Sequence, residues 1–195
     1  MEGELPVEEC KRCFWVPLED PLYVDYHDRE WGVPVHDDST LFEMLILEGM
    51  QAGLSWITIL RKREGYRKAF DYFDMDKIMC YDEAKVEQLM ENSDIVRNRL
   101  KIKAVIQNAK AFREIQREYG SFDRYLWQYV DGAAIRIMRT GEKDVPARTE
   151  LSDKISADLK KRGFKFVGTT IICAYMHAVG LINGHAEDCF CYSQE

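Results

Sequence analysis

Four side chains of metal-binding type stand in two pairs at opposite ends of this chain of 195 residues. Cys13 and His27 lie near the start, His185 and Cys189 near the end. Thiolate and imidazole suit Zn²⁺, and a Cys₂His₂ set leaves no open position for a substrate. Such a set reads as a closed structural site that ties the two ends together. The loop it closes is long, and the gain from closure grows only slowly with length. The His-x₃-Cys spacing is not that of a zinc finger, so buried thiols and surface histidines remain the competing reading.

A second group combines one carboxylate with many aromatic rings. Trp15, Tyr23, Tyr26, Trp31 and Trp56 surround Glu48, which sits in the mostly apolar run Leu45-Ile46-Leu47-Glu48-Gly49-Met50. A buried, unpaired carboxylate is costly. Either Glu48 faces solvent, as a lone helical glutamate usually does, or it lies at the bottom of an aromatic pocket. Such a pocket suits a flat cationic or electron-poor ring. A third group is the segment from Lys160 to Thr170, with Lys160, Lys161 and Lys165 around Gly163 and Gly168. Free N–H groups at a helix start, flanked by lysines, can hold a DNA phosphate without reading bases. A plain αα-hairpin is the alternative.

The elements that position these groups read as mostly helical. Asp38 or Ser39 can cap a helix from Leu41, whose end should fall near Gly49 and Gly53. A second helix runs from Trp56 toward Phe70. Asp74 or Asp76 caps a short helix near Ile78, and Asp82 caps another carrying Val86 and Leu89. The clearest periodicity covers Arg97 to Tyr119, with Ile102, Val105, Ile106, Ala109 and Phe112 on one face, stopped by Gly120. Ser121 caps a short helix. Residues 131–148 read as an irregular polar loop. Helices resume at about Ser152–Arg162 and Thr169–Val179, and Gly163 is placed to take a left-handed conformation between them. No strand pattern persists.

Composition narrows the class. Hydrophobic residues make up 46% of the chain, enough for a packed core. No apolar run approaches the ~20 residues of a membrane helix. The acidic start MEGELPVEEC lacks a signal-peptide core and predicts a disordered tail over residues 1–11, followed by a single domain over 12–195. Cys10, Cys13, Cys80, Cys173, Cys189 and Cys191 are too sparse for a disulfide-stapled fold, which points to a reducing cytoplasm. The net charge of −7 argues mildly against nucleic acid. Basic clusters at 61–63, 97–103 and 160–165 are either a local basic face or ordinary solvated helix surface.

Three motifs carry a resemblance. The stretch Asp20-Pro21-Leu22-Tyr23-Val24-Asp25-Tyr26-His27-Asp28-Arg29-Glu30-Trp31-Gly32-Val33-Pro34 is similar to the N-terminal signature of the 3-methyladenine DNA glycosylase I family. So are Leu41-Phe42-Glu43-Met44-Leu45 with Leu47-Glu48-Gly49-Met50-Gln51-Ala52-Gly53-Leu54-Ser55-Trp56, and the run from Leu159 to Thr170. The resemblance runs from about Cys13 to Tyr192 and is weakest over 131–150.

The resemblance implies an all-α, helix-hairpin-helix glycosylase-like bundle, with the hairpin around 152–180. It implies one structural Zn²⁺ on Cys13, His27, His185 and Cys189, joining the N- and C-terminal segments, and no catalytic cofactor. It implies removal of 3-methyladenine, and less readily 3-methylguanine, from alkylated double-stranded DNA. The recognising carboxylate falls on Glu48, with Tyr23 and Tyr26 beside it in the chemistry and Trp56 and Trp15 as base-binding walls. Gly53 and Leu54 match a turn that presses into the duplex. Lys161, Gly163, Lys165, Gly168 and Thr169 match the phosphate-holding hairpin. The wider superfamily places an aspartate after the hairpin. Here Ile171-Ile172-Cys173-Ala174-Tyr175-Met176 offers none, and no catalytic lysine is indicated. That implies dependence on labile cationic lesions and no strand cleavage. Phe14 stands where a small residue is expected, which would reshape the pocket mouth. His36 and His177 look like weak candidates, with His177 read as a core residue. The remaining expectations are a monomer with no membrane contact, acting in a bacterial-type cytoplasm at the nucleoid. A zinc-clipped DNA-binding module without activity is the alternative.

Overall fold

The computed structural model describes residues 10–137, 139 and 146–192. The expected N-terminal tail therefore lies almost wholly outside the described residues. Those described are mostly helical. In chain order the helices are α1 (Pro21–Arg29), α2 (Asp38–Gln51), α3 (Trp56–Ala69), α4 (Met75–Ile78), α5 (Glu83–Glu91), α6 (Arg99–Tyr119), α7 (Phe122–Trp127), α8 (Glu150–Lys161) and α9 (Thr169–Ala178). Most begin where a short polar side chain can accept from free first-turn amides. Asp20, Asp37, Asp74, Asp82, Asn98, Ser121 and Thr149 all do so. Among the described residues, no helix is long and apolar enough to cross a membrane.

Two sequence expectations need correction, and one helix was not expected. α1 has no long apolar stripe to announce it; Asp20 caps it and Pro21 opens it with a fixed φ. Strands do occur, as two-residue pieces: β1 (Ile135–Arg136) pairs in parallel with β2 (Ile182–Asn183). Pieces so short carry no alternation to read. α2 is capped by Asp37, one residue before the expected Asp38 or Ser39, because its carboxylate is the one that reaches the Thr40 amide; the helix ends at Gln51, between Gly49 and Gly53 as expected. A Cβ at Gly49 would come within 3.3 Å of both Cβ and the carbonyl oxygen of Phe166, so the glycine lets the later hairpin pack against α2.

α2 is the central element. Leu41, Phe42, Leu45, Ile46, Leu47 and Met50 are all buried, and they meet α6, α7 and α9. Tyr175 of α9 donates its hydroxyl to the Leu41 carbonyl at 3.1 Å. The Asp38 carboxylate accepts from the amides of Phe122 and Asp123, joining the start of α2 to α7. Arg63 of α3 donates to Glu43 and to Glu30, each at 2.6 Å, binding α3 to α2 and to the end of α1.

α6 holds two turns in place. Lys101 is buried, and its ammonium donates to the carbonyls of Met50 and Ala52 at 2.8 and 2.7 Å, fixing the turn before α3. Asn108 brackets Lys165, accepting from its amide at 2.8 Å and donating to its carbonyl at 3.0 Å. Gln107 reaches the Gly163 carbonyl at 2.6 Å. The 50–55 turn and the α8–α9 hairpin are thus anchored to one helix. Gly163 takes the expected left-handed conformation, with φ 95°.

Candidate functional site

α1 carries two kinds of side chain on adjacent faces. Tyr23 and Tyr26 turn toward a cavity of about 360 Å³, while the buried His27 turns toward the chain ends. Trp15 stands between the two regions, with ring centroids 5.7 Å from Tyr23 and 5.2 Å from His27. Trp31 completes the partition, 4.8 Å from Trp15 and 4.7 Å from His185.

On one side of this wall, Cys13, His27, His185 and Cys189 are all buried, and their ligand atoms lie within 4.8 Å of one another. Cys13 Sγ is 3.5 Å from His185 Nδ1, and Cys189 Sγ is 3.5 Å from His27 Nε2 and 3.6 Å from His185 Nδ1. Sulfur and nitrogen bound tetrahedrally to zinc at ordinary bond lengths lie about 3.5 Å apart. The other ring nitrogens are partnered. His27 Nδ1 donates to Asp28 at 2.7 Å, and His185 Nε2 donates to the Trp31 carbonyl at 2.9 Å. These bonds turn the remaining nitrogen of each ring toward the cluster, as outer partners of metal ligands do. Arg12 clasps Asp28 through Nε and Nη2. The donor set therefore fits a metal ion. Cys191 lies beside His27 and Asp28, and Cys10 stands apart at the start of the described chain.

On the other side lies the cavity. Trp15, Tyr23, Tyr26, Trp31 and Trp56 line it, with Phe14 at its rim and 45% exposed. Glu48 projects into it from α2 and is only 3% exposed, which contradicts the solvent-facing alternative. Its Oε2 and the indole Nε1 of Trp56 are buried with no hydrogen-bond partner in the protein. Buried polar groups without partners cost free energy, so their presence in a lined cavity marks a place for a polar ligand. Burial pushes the Glu48 carboxyl from its ordinary 4.5 up to about 8. Burial raises the Tyr23 and Tyr26 phenols as well, and the Glu48 charge raises both further. The cavity thus has flat aromatic walls and a carboxyl that gains most from an arriving cation.

Two lining residues escaped the sequence reading. His177, which looked like a core residue, borders the cavity, and so does Arg139. Arg139 Nη2 donates to His177 Nε2 at 2.9 Å. Burial, then the charge of Arg139, lowers the imidazole to about 4. Arg139 comes from an irregular segment with no motif, so nothing local signalled it. His36 lies on the surface against Asp123.

Away from the cavity, Leu54 is 40% exposed on the turn that follows α2. In the hairpin, Gly168 caps α9 without a side chain, and Thr169 Oγ1 meets Ser152 at 2.9 Å. Among the described residues, the exposed Lys161 and Lys165 form no ion pair. Arg61, Arg63, Arg99 and Lys103 of the other basic clusters are all paired with acids.

The Glu48 shift has a consequence for stability. Between about pH 4.5 and about pH 8 the folded protein keeps a proton that the unfolded chain releases. Stability then falls as pH rises through that window and levels off above it. At about 1.4 kcal/mol per unit of displacement, the loss is on the order of a few kcal/mol. Thermal melts of Glu48→Gln against wild type should show the variant's advantage growing from pH 5 to pH 8. A difference that stays constant with pH would contradict the buried, protonated carboxyl.

Known proteins share this fold. The profile of the methyladenine glycosylase family matches residues 15–192. DNA-3-methyladenine glycosylase 1 of Escherichia coli is 48% identical over 182 residues, covering 93% of this chain and 97% of that protein. The DNA-3-methyladenine glycosylase of Haemophilus influenzae is 44% identical, covering 92% and 97%. A crystal structure of 3-methyladenine DNA glycosylase I superposes with a TM-score of 0.91 at 49% identity, covering 93% of this chain and all of that one. The Staphylococcus aureus enzyme, solved to explain 3-methyladenine recognition, gives a TM-score of 0.88 at 36% identity, covering 91% of this chain and 94% of that one. With matching sequence, helices and site-bearing segments along nearly its whole length, the chain belongs to the methyladenine glycosylase family.

Proposed function

We infer that this protein is a monofunctional DNA glycosylase that flips 3-methyladenine, and less readily 3-methylguanine, out of alkylated DNA and hydrolyses the bond to the sugar. The observation that carries the reading is Glu48, a carboxyl buried among aromatic rings with one oxygen unpartnered. A base inside a duplex must leave the stack before it is reached. Methylation at N3 leaves the purine cationic and its sugar bond weak. Glu48 accepts from the exocyclic amine and stabilises the positive ring. Tyr23 and Tyr26 orient that carboxylate, and Trp56 and Trp15 hold the ring by stacking, at roughly 1–3 kcal/mol per base. Water attacks the sugar carbon as the base departs.

DNA is held from outside the cavity. Gly53 and Leu54 press into the gap left by the flipped base, offsetting part of the unstacking cost. Lys161 and Lys165, with Gly163 shaping the turn and the first-turn amides at Gly168 and Thr169 left without a side-chain cap, hold phosphate at the start of α9. A single domain over 12–195 carries this function as a monomer, in the cytoplasm at the nucleoid. One Zn²⁺ on Cys13, His27, His185 and Cys189 clips its ends; it supplies structure only, since four protein ligands leave no open position.

Release of free bases from methylated DNA tests the reading. Wild type should release 3-methyladenine, and folded Glu48→Gln should be slower by about a hundredfold or more, the loss typical of one preorganised electrostatic group. No release by folded, metal-loaded wild type would leave the DNA-binding module instead. Chelation tests the metal: removal should lower the melting temperature and loosen both ends together. A metal-free protein that melts as before, yet is inactive, would contradict a structural role.

A further inference from the structure

α6 joins the two elements that reach DNA, and its own outward face lies open between them. Gln107 and Asn108 hold the hairpin, and Lys101 holds the 50–52 turn. Leu100, in the first turn of α6, is 73% exposed. With Lys103, Gln107, Lys165 and Phe166 it lines one groove of about 340 Å³. An exposed leucine is ordinary by itself. This one shares its groove with a lysine of the hairpin, so the surface is continuous with that element.

Just before α6 stands Arg97. It is exposed, and among the described residues its guanidinium forms no ion pair or hydrogen bond. Its backbone is fixed on both sides. The Val96 amide donates to the Tyr66 hydroxyl at 3.1 Å, and Asn98 accepts from the amides of Leu100 and Lys101 at 3.0 and 3.2 Å. Gly65 lets this loop close onto α3: a Cβ there would lie 2.5 Å from the Asp94 carbonyl oxygen. Glu83 and Glu87, the acids that meet the start of α6 from α5, are taken by Arg99 and Lys103.

Position along the helix decides what this surface can meet. At 1.5 Å per residue, roughly 15 Å separate Asn98 from Asn108, where the hairpin is held. The grooves of B-DNA are about 6 and 12 Å wide, within that span. A cation at one end and the hairpin at the other can therefore reach two different backbones. The turn that carries Leu54 is held between them, at Lys101. The hairpin takes one backbone, Leu54 enters the gap left by the flipped base, and the other backbone falls to Arg97. We propose that Arg97 and Leu100 form a second DNA-contact edge, which holds the strand opposite the lesion while the hairpin holds the damaged one. Arg97 pairs with a phosphate and Leu100 lies against the sugars, so the edge positions the duplex without reading bases. The proposal rests on the glycosylase reading above.

Fluorescence anisotropy tests the edge, with a duplex carrying a stable abasic analogue and with the analogue strand alone. Arg97→Gln should bind the duplex about fivefold or more weaker, with a salt slope lower by about 1. Leu100→Asn should weaken duplex binding by about threefold or more and leave the salt slope unchanged, because it removes no charge. Neither should change affinity for the single strand by more than about twofold, since the damaged strand keeps its hairpin contacts. Equal loss on both DNAs would put the edge on the damaged strand, and no loss on either would make it plain solvated surface; each result overturns the proposal. If a variant does not fold, wild type still decides. Neutral methylphosphonates, placed one at a time in the undamaged strand, should weaken its binding at one position or more, and no effect at any position overturns the proposal. Failure of the glycosylase reading looks different: wild type would then release no 3-methyladenine from methylated DNA, whatever the variants bind.

Discussion

Everything in this fold is arranged around keeping one carboxyl out of water. Glu48 sits on the helix that also forms the centre of the core, so it cannot turn to solvent without disturbing Leu45, Leu47 and Met50. Its burial is costly in the empty protein. We propose that this cost makes the site selective: a neutral base gives little back, while a cationic ring restores the lost interaction. We propose that rate enhancement then comes largely from the lesion's own lability, with Glu48 stabilising the positive ring.

The cluster at the chain ends belongs to the same arrangement. α1 presents His27 to the thiols and Tyr26 to the cavity one residue apart. Trp15 and Trp31 touch both regions. Clipping the termini therefore fixes the aromatic wall as well as the ends of the chain. On the opposite side, α6 sets the position of the 50–55 turn through Lys101 and of the hairpin through Asn108. The cavity, the exposed Leu54 and the lysines of the hairpin are thus referred to one rigid frame. A base can be drawn inward while the backbone is held outside.

Much of this was legible in the chain because it rests on local signals. Capping aspartates, Gly120 and the periodicity of α6 give helices whose bounds agree closely with the structure. The two ligand pairs and the dense 41–56 motif were visible as residue types before any coordinates. What was not legible depends on contacts distant in sequence. That Gly49 gives room to Phe166 is such a contact. Glu48 looks solvent-facing until the aromatic residues of α1 and α3 close around it. Arg139 and His177 are far apart in sequence, and they meet beside Gly184.

We propose that Glu48 is protonated in the empty pocket at neutral pH and ionises when a cation arrives. Carbon-13 NMR titration of labelled glutamate carboxyls, with Glu48→Gln for assignment, measures this directly. The account predicts one carboxyl titrating near pH 8 in the empty protein, with its midpoint moving down when an N3-alkylated purine cation occupies the pocket. A Glu48 carboxyl that titrates near its ordinary 4.5 with the pocket empty would contradict it.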